Sequence, residues 1–348
     1  MRTTEHDFFA SANSGRGFIN FFGEIFAGLE HLYIIKGGSG TGKSMLMKKA
    51  GELAQNKGMN VEYFHCSSDP ESLDGIIIKE SGIGIIDGTA PHTADPKYPG
   101  AYDEIVNVGD FWDRKMLQAR REEIEKLVAE KSRLFAQTYR YLSAALTMRQ
   151  IADSFTAMSV DTQKMYAACE RLFKRTKRKP TTGKESVRMC EGITMDKKIR
   201  YEPYLKEAQT IYRLKDKYAI APEYLNYIRE LCASRGMERI VGYCPLDTKK
   251  INMIYLPETK TLFTVNGNFA ENDIKVNMGR FIIPAQYRKH RNLIRYTENC
   301  KKELENGAYS LLGRIKELHF ELERIYAGAM DFEAKERYQE KLLDEILG

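Results

Sequence analysis

Eight residues constrain this chain more than any other stretch. Gly37-Gly38-Ser39-Gly40-Thr41-Gly42-Lys43-Ser44 satisfies the spacing G-x-x-x-x-G-K-[S/T]. Before it, His31-Leu32-Tyr33-Ile34-Ile35 is a short apolar run suited to a buried strand. After it, Ser44 to Ala54 places Met45, Leu46, Ala50 and Leu53 on one face of a helix. Strand, glycine loop and helix in that order call for an α/β layout in which backbone N–H groups and a helix N-terminus converge on an anion. The glycines remove Cβ atoms from the path of a phosphate. Lys43 is expected to neutralise β- and γ-phosphates, and Ser44 to place its hydroxyl on Mg²⁺.

A second metal-holding acid belongs at the end of a neighbouring strand. Ile83-Gly84-Ile85-Ile86-Asp87-Gly88 is an apolar run ending in a carboxylate, so Asp87 is the expected Mg²⁺ ligand. Its rival Asp69 precedes Pro70 and Glu71, which reads as a helix cap. His92 or Asp74 is the candidate for orienting a water or sensing the γ-phosphate. The chain has no N-K-x-D guanine signature, the nearest string being Asn56-Lys57-Gly58-Met59, which favours ATP over GTP. Arg114, Arg120 and Arg121 are the candidates for a kinase-like lid, though their Glu-rich surroundings read as a solvated helix face.

The second half of the chain repeats the first. Cys66 to Glu80 lies over Cys244 to Glu258 without a gap, Lys57-Gly58-Met59 over Arg235-Gly236-Met237, and Leu32 to Lys36 over Ile211 to Lys215. In the copy the loop is lost. Lys43 lies over Ala221, Ser44 over Pro222 and Asp87 over Val265, while Asp216 would repel a phosphate. Each copy ends in a helical arm. Leu304, Ala308, Leu311, Ile315, Leu318, Leu322 and Ile325 are spaced as a coiled-coil seam, matched in the first copy by Leu134, Thr138, Tyr141, Ala145, Met148, Ala152 and Phe155. This seam predicts either a hairpin on its own lobe or a pairing of two arms or two subunits. Gly307 and Gly313 mark a place where the helix is expected to weaken.

At 348 residues the chain has room for two such units, predicted as duplicated α/β lobes with parallel sheets. Residues 1–173 form the lobe with the intact loop and an arm, 174–188 a basic linker, and 189–348 the degenerate copy with its arm. Six cysteines without a C-x-x-C pair suit reduced thiols, and no apolar run is long enough to span a membrane, so a cytoplasmic protein is expected. The net charge of +6 concentrates between Lys174 and Arg200, where ten basic residues face three acidic ones. No aromatic platform interleaves them, so a solvated linker is expected there rather than a nucleic-acid contact.

The whole chain resembles an uncharacterised bacterial family of tandem P-loop ATPases. The strings that carry the likeness are Ile34 to Ser44, His65 to Pro70 with Ser72 to Gly75, and Asp87-Gly88-Thr89-Ala90-Pro91-His92. The resemblance implies nucleotide binding and a loop in both halves, and this chain departs from it at Asp216 to Pro222. The expectation is a Mg²⁺-dependent ATPase working from its first lobe, with a small-molecule kinase or an ATP-sensing interaction module as alternatives.

Overall fold

The computed structural model describes residues 6–90, 93–174 and 183–348. The first sheet contains β1 (Asp7–Phe9), β2 (His31–Lys36), β3 (Val61–His65), β4 (Leu73–Ile78), β5 (Ile83–Asp87) and β6 (Asp103–Asn107), in spatial order β1-β3-β4-β5-β2-β6. The second contains β7 (Glu185–Val187), β8 (Thr210–Lys215), β9 (Arg239–Tyr243), β10 (Ile251–Leu256), β11 (Thr261–Val265) and β12 (Ile274–Asn277), in the order β7-β9-β10-β11-β8-β12. One order serves both sheets. Even their register shifts correspond, at Phe64/His65 and at Gly242/Tyr243.

Neither sheet is parallel throughout, contrary to expectation. β4 runs antiparallel to β3 and β5, and β10 antiparallel to β9 and β11. The cause is chain length: Lys79–Gly82 alone joins β4 to β5, and a parallel neighbour needs a crossover of about a dozen residues. β2 retains parallel neighbours on both sides, β5 and β6.

The basic linker is corrected as well. Glu185–Val187, inside it, is the edge strand β7 pairing with β9, and Arg188 joins Glu62 of β3 at 2.7 Å. Lys198 and Arg200 both pair with Glu191, at 2.6 and 2.8 Å. Three of the ten basic residues between Lys174 and Arg200, namely Arg188, Lys198 and Arg200, therefore neutralise buried carboxylates. Arg175, Lys177, Arg178 and Lys179 lie outside the described residues.

Strand alternation divides the apolar residues between two faces. Ile34 turns toward a central core shared by both sheets, with Phe8, Phe64, Met253 and Tyr255, whereas Ile35 turns toward an outer helix layer. On the first sheet that layer includes α1 (Lys43–Asn56). The arm α2 (Arg121–Ala157) follows, then α3 (Thr162–Lys174). In the second repeat the equivalents are α4 (Ala221–Ser234), the arm α5 (Pro284–Gly328) and α6 (Phe332–Leu347).

The arms pair with each other, and the helices after them change places. α2 leaves the first sheet and ends at the second, where Asp161 N donates to Phe281 O (2.8 Å) and Ile283 N to Ser159 O (2.7 Å). α5 runs back, and Asp113 N donates to Ala329 O (2.8 Å) and Asp331 N to Phe111 O (2.9 Å). Met165, Cys169 and Phe173 of α3 thus complete the second lobe's core, and Leu342, Leu343 and Ile346 of α6 the first lobe's. Spatial lobes and sequence halves do not coincide. Between the arms Leu134, Leu142 and Ala145 meet Ala308, Leu312 and Ile315. Leu312 is buried in place of the expected Leu311, Tyr141 is exposed, and α5 continues unbroken through Gly307 and Gly313. Gly307 admits the Tyr141 ring, which a Cβ there would meet at 2.6 Å.

Candidate functional site

The candidate site sits at the carboxyl end of β2, where the chain turns into α1. Gly40 and Gly42 adopt positive φ (70° and 78°), conformations that disfavour a side chain. Gly42 is the N-cap of α1. A Cβ on Gly37 would run into Val108. The loop also ties itself together, since Thr41 Oγ1 donates to Gly38 O (2.9 Å).

Lys43 is buried, and its ammonium reaches Gly37 O (3.1 Å), Gly38 O (2.7 Å) and Asp87 Oδ2 (3.5 Å). β2 and β5 are parallel neighbours with Ile35 opposite Asp87, so the strand register delivers that carboxylate beside the loop. Thr89 donates to Asp87 through both its N–H and its hydroxyl, which orients the carboxylate. Ser44 Oγ accepts from Leu73 N at 3.0 Å, leaving its own proton and a further lone pair for another partner. Ser44 and Asp87 are hard oxygen donors, the type Mg²⁺ takes when phosphates and water complete its shell.

The other expected residues have different settings. Asp69 accepts from Glu71 N (3.3 Å) and Ser72 Oγ (2.7 Å), closing its own turn. Asp74 is buried on β4 with Ser11 Oγ at 3.4 Å. His92 lies outside the described residues. Arg120 and Arg121 pair with Glu123 and Glu125 on the helix surface, each at 2.7 Å, so they form no lid over the loop. All six cysteines are free thiols. Among the described residues there is no cluster of His, Cys, Asp and Glu able to hold a metal, and no helix long and apolar enough to cross a membrane.

The surroundings of the loop come from the exchanged half of the chain, which the local sequence around the motif does not reveal. Glu323, near the end of α5, holds its carboxylate beside Gly40 N–H, which favours the charged form. Its backbone oxygen would stand 2.6 Å from a Cβ on Gly40, and the Tyr326 ring 2.9 Å from one on Gly38. Burial raises the Glu323 carboxyl above its usual range, with Asp69 adding to the effect. His319, one turn earlier, is 3.5 Å from Glu323 and 3.5 Å from Lys131 Nζ of α2. Burial, reinforced by Lys131, pushes its imidazole down to about 4, so it is neutral at pH 7. Burial also lowers the Lys131 ammonium, and Lys43 acts on it in the same direction. Lys335 of α6 stands against Gly42, so closely that a Cβ there would collide with its Nζ.

In the second lobe the matching loop is capped from within. Asp216 accepts from Tyr218 N (3.0 Å) and Ala221 N (2.7 Å), so a carboxylate already occupies the N-terminus of α4. A cavity of about 490 Å³ lies beside it, lined by Asp216, Tyr218, Tyr287 and the arm residues Arg149 and Asp153. No family model, curated protein or solved structure matches the chain.

Proposed function

We propose that the chain is a Mg²⁺-dependent ATPase whose working site is the Gly37–Ser44 loop, the second lobe being a partner without a triphosphate site. The observation that carries this reading is the approach of Lys43 Nζ to Asp87 Oδ2 (3.5 Å), across a glycine loop lying between a buried strand and a helix N-terminus. In this reading the loop N–H groups and the α1 N-terminus bind the phosphates, and Lys43 exchanges its loop carbonyls for β- and γ-oxygens. Ser44 and Asp87 hold Mg²⁺, which supplies charge neutralisation and orientation of the phosphate oxygens when bound. Asp216 excludes the same chemistry from the second lobe, because an anion arriving there would meet a carboxylate.

Purified protein should release phosphate from ATP only with Mg²⁺, and Lys43→Ala should weaken ATP binding by about 10- to 100-fold, the value of a charge-assisted hydrogen bond. Absence of Mg²⁺-dependent release together with unchanged ATP affinity in Lys43→Ala would refute the proposal. A second reading, an ATP-responsive module with little turnover, is favoured by one observation: Glu323 on the arm packs against Gly40, beside the N–H that a phosphate would need. Tight binding without turnover, with faster amide exchange in the last turns of α5 on adding ATP, would select it.

A further inference from the structure

Two polar side chains on the covered face of α6 lack a hydrogen-bond partner among the described residues. Lys335 is 5% exposed and Gln339 is 2% exposed, one turn apart on the helix face that also carries Leu342, Leu343 and Ile346. Among the described residues no oxygen accepts a hydrogen bond from the Lys335 ammonium, and Gln339 Nε2 is likewise unbonded. Lys335 lies over the Phe332 ring at 5.5 Å. Of the charges acting on it, Lys49 repels, and Glu336 is already engaged by Lys49 at 2.7 Å. Lys335 thus holds its ammonium beside a second lysine and an aromatic ring with no oxygen of the described residues hydrogen-bonded to it, an arrangement that costs some desolvation and that packing alone does not account for.

The repeat supplies an internal comparison. Asp161 and Asp331 occupy equivalent places, each donating its backbone N–H across the exchange point and each capping the helix that follows, through Lys164 N and Ala334 N. Counting on from them, Lys335 matches Met165, and Gln339 matches Cys169. Met165 and Cys169 are fully buried in the second lobe's core beside Ala221 and Leu225 of α4. The exchanged helix therefore carries Met where the loop is degenerate and its helix end is capped by Asp216. It carries Lys where the loop keeps its glycines and the ammonium abuts Gly42.

We propose that Lys335, delivered by the helix exchanged from the second repeat, is a second phosphate-binding cation of the first lobe's site. This rests on the nucleotide reading of the Gly37–Ser44 loop given above. The ammonium faces the same helix end as the loop N–H groups, and an arriving phosphate provides the anion it lacks. The second repeat is thus part of the site: without α6 the loop retains Lys43 and loses the cation that abuts Gly42.

The test uses the full chain with Lys335→Met, which copies Met165, the conservative Lys335→Arg, and Lys43→Ala. Titration calorimetry with Mg²⁺–ATP and with inorganic pyrophosphate is combined with thermal unfolding of the ligand-free proteins. Lys335→Met should weaken both ligands by about 10- to 100-fold, Lys335→Arg should recover most of the loss, and the unfolding midpoint of Lys335→Met should equal or exceed that of the parent. ATP binding lost in Lys43→Ala but untouched in Lys335→Met overturns this inference alone. A lowered midpoint in both Lys335 variants with matching losses of affinity makes the lysine structural and also overturns it. Absence of ATP binding by the unaltered protein removes the nucleotide reading and this inference together.

Discussion

Phe173→Ala tests the helix exchange directly, because the residue belongs to the first half of the sequence and to the second half of the molecule. The ring is 1% exposed, in a cluster with Met165, Ile228, Cys232 and Met237, and the Arg235 guanidinium lies 5.1 Å over it. Arg235 Nη1 also donates to Phe173 O at 3.0 Å, a bond the substitution retains. Truncating a buried Phe costs about 3–5 kcal/mol, within which the lost cation–π contact is worth about 0.5–1 kcal/mol. A loss of about 4 kcal/mol corresponds to local opening on the order of a thousandfold more frequent. Native-state hydrogen exchange followed by mass spectrometry reads this segment by segment. Amides of α4, β8, β9 and β11 should lose protection, while those of α1, β3 and β4 should change little. Loss of protection in the first sheet, with the second unaffected, would refute the exchanged placement of α3 outright.

Two further outcomes concern the loop itself. Glu323→Gln should tighten ATP binding by about fivefold, since a neutral amide competes less well for Gly40 N–H than a carboxylate does; a calorimetric affinity equal to the parent's would remove Glu323 from the competition. His319, held at about 4 in the fold against an ordinary 6.5, stays neutral while the unfolded chain takes up a proton. Its stabilising effect is therefore complete above pH 6.5 and is lost as pH falls toward 4, by up to about 1.4 kcal/mol per pH unit. Urea midpoints measured across that window should lose this slope in His319→Leu, and an unchanged slope would show that another group titrates.

What was legible in the chain was what local pattern determines. The glycine loop and the strand that ends at Asp87 are runs of adjacent residues, and their neighbour relation follows from their being buried strands of one sheet. The repeat was legible because matching residues keep matching spacing. The antiparallel strands were legible in principle from the short Lys79–Gly82 connection, with Gly82 at φ 64°, yet an apolar run such as Gly75–Ile78 does not show its direction. The exchange left no local trace. Met165, Cys169 and Phe173 declare an apolar face on α3, but two lobes of one architecture offer that face similar surfaces, and periodicity cannot say which one covers it. Lys335 and Gln339 did carry a signal, as polar residues in helical register with Leu342, Leu343 and Ile346. Without knowing which lobe α6 covers, that signal had no address.

The exchange also decides how an event at one loop is felt at the other. α5 starts at the second lobe and ends with Glu323 and Tyr326 over the first loop, while α2 starts at the first lobe and ends with Arg149 and Asp153 lining the cavity beside Asp216. α5 touches both loops, through Tyr287 against Tyr218 and through Tyr326 against Gly38. Each arm is also pinned at its far end by a reciprocal pair of backbone hydrogen bonds, and Leu134, Leu142, Ala308, Leu312 and Ile315 pack the arms together in between. In the proposed function, a phosphate that displaces the Glu323 carboxylate from Gly40 would act on the end of a continuous helix. Bending that helix would break its ladder, and sliding it alone would open the packed stretch between the arms, so the response expected on the proposed ATP binding is movement of α2 and α5 as one body against the lobes. That motion reaches Arg149 and Asp153, where Asp153 already holds Lys250 of the second lobe. In the proposed function the second lobe is thus the far anchor of the arms, held there by the Asp153–Lys250 pair and the backbone bonds at Ser159 and Phe281.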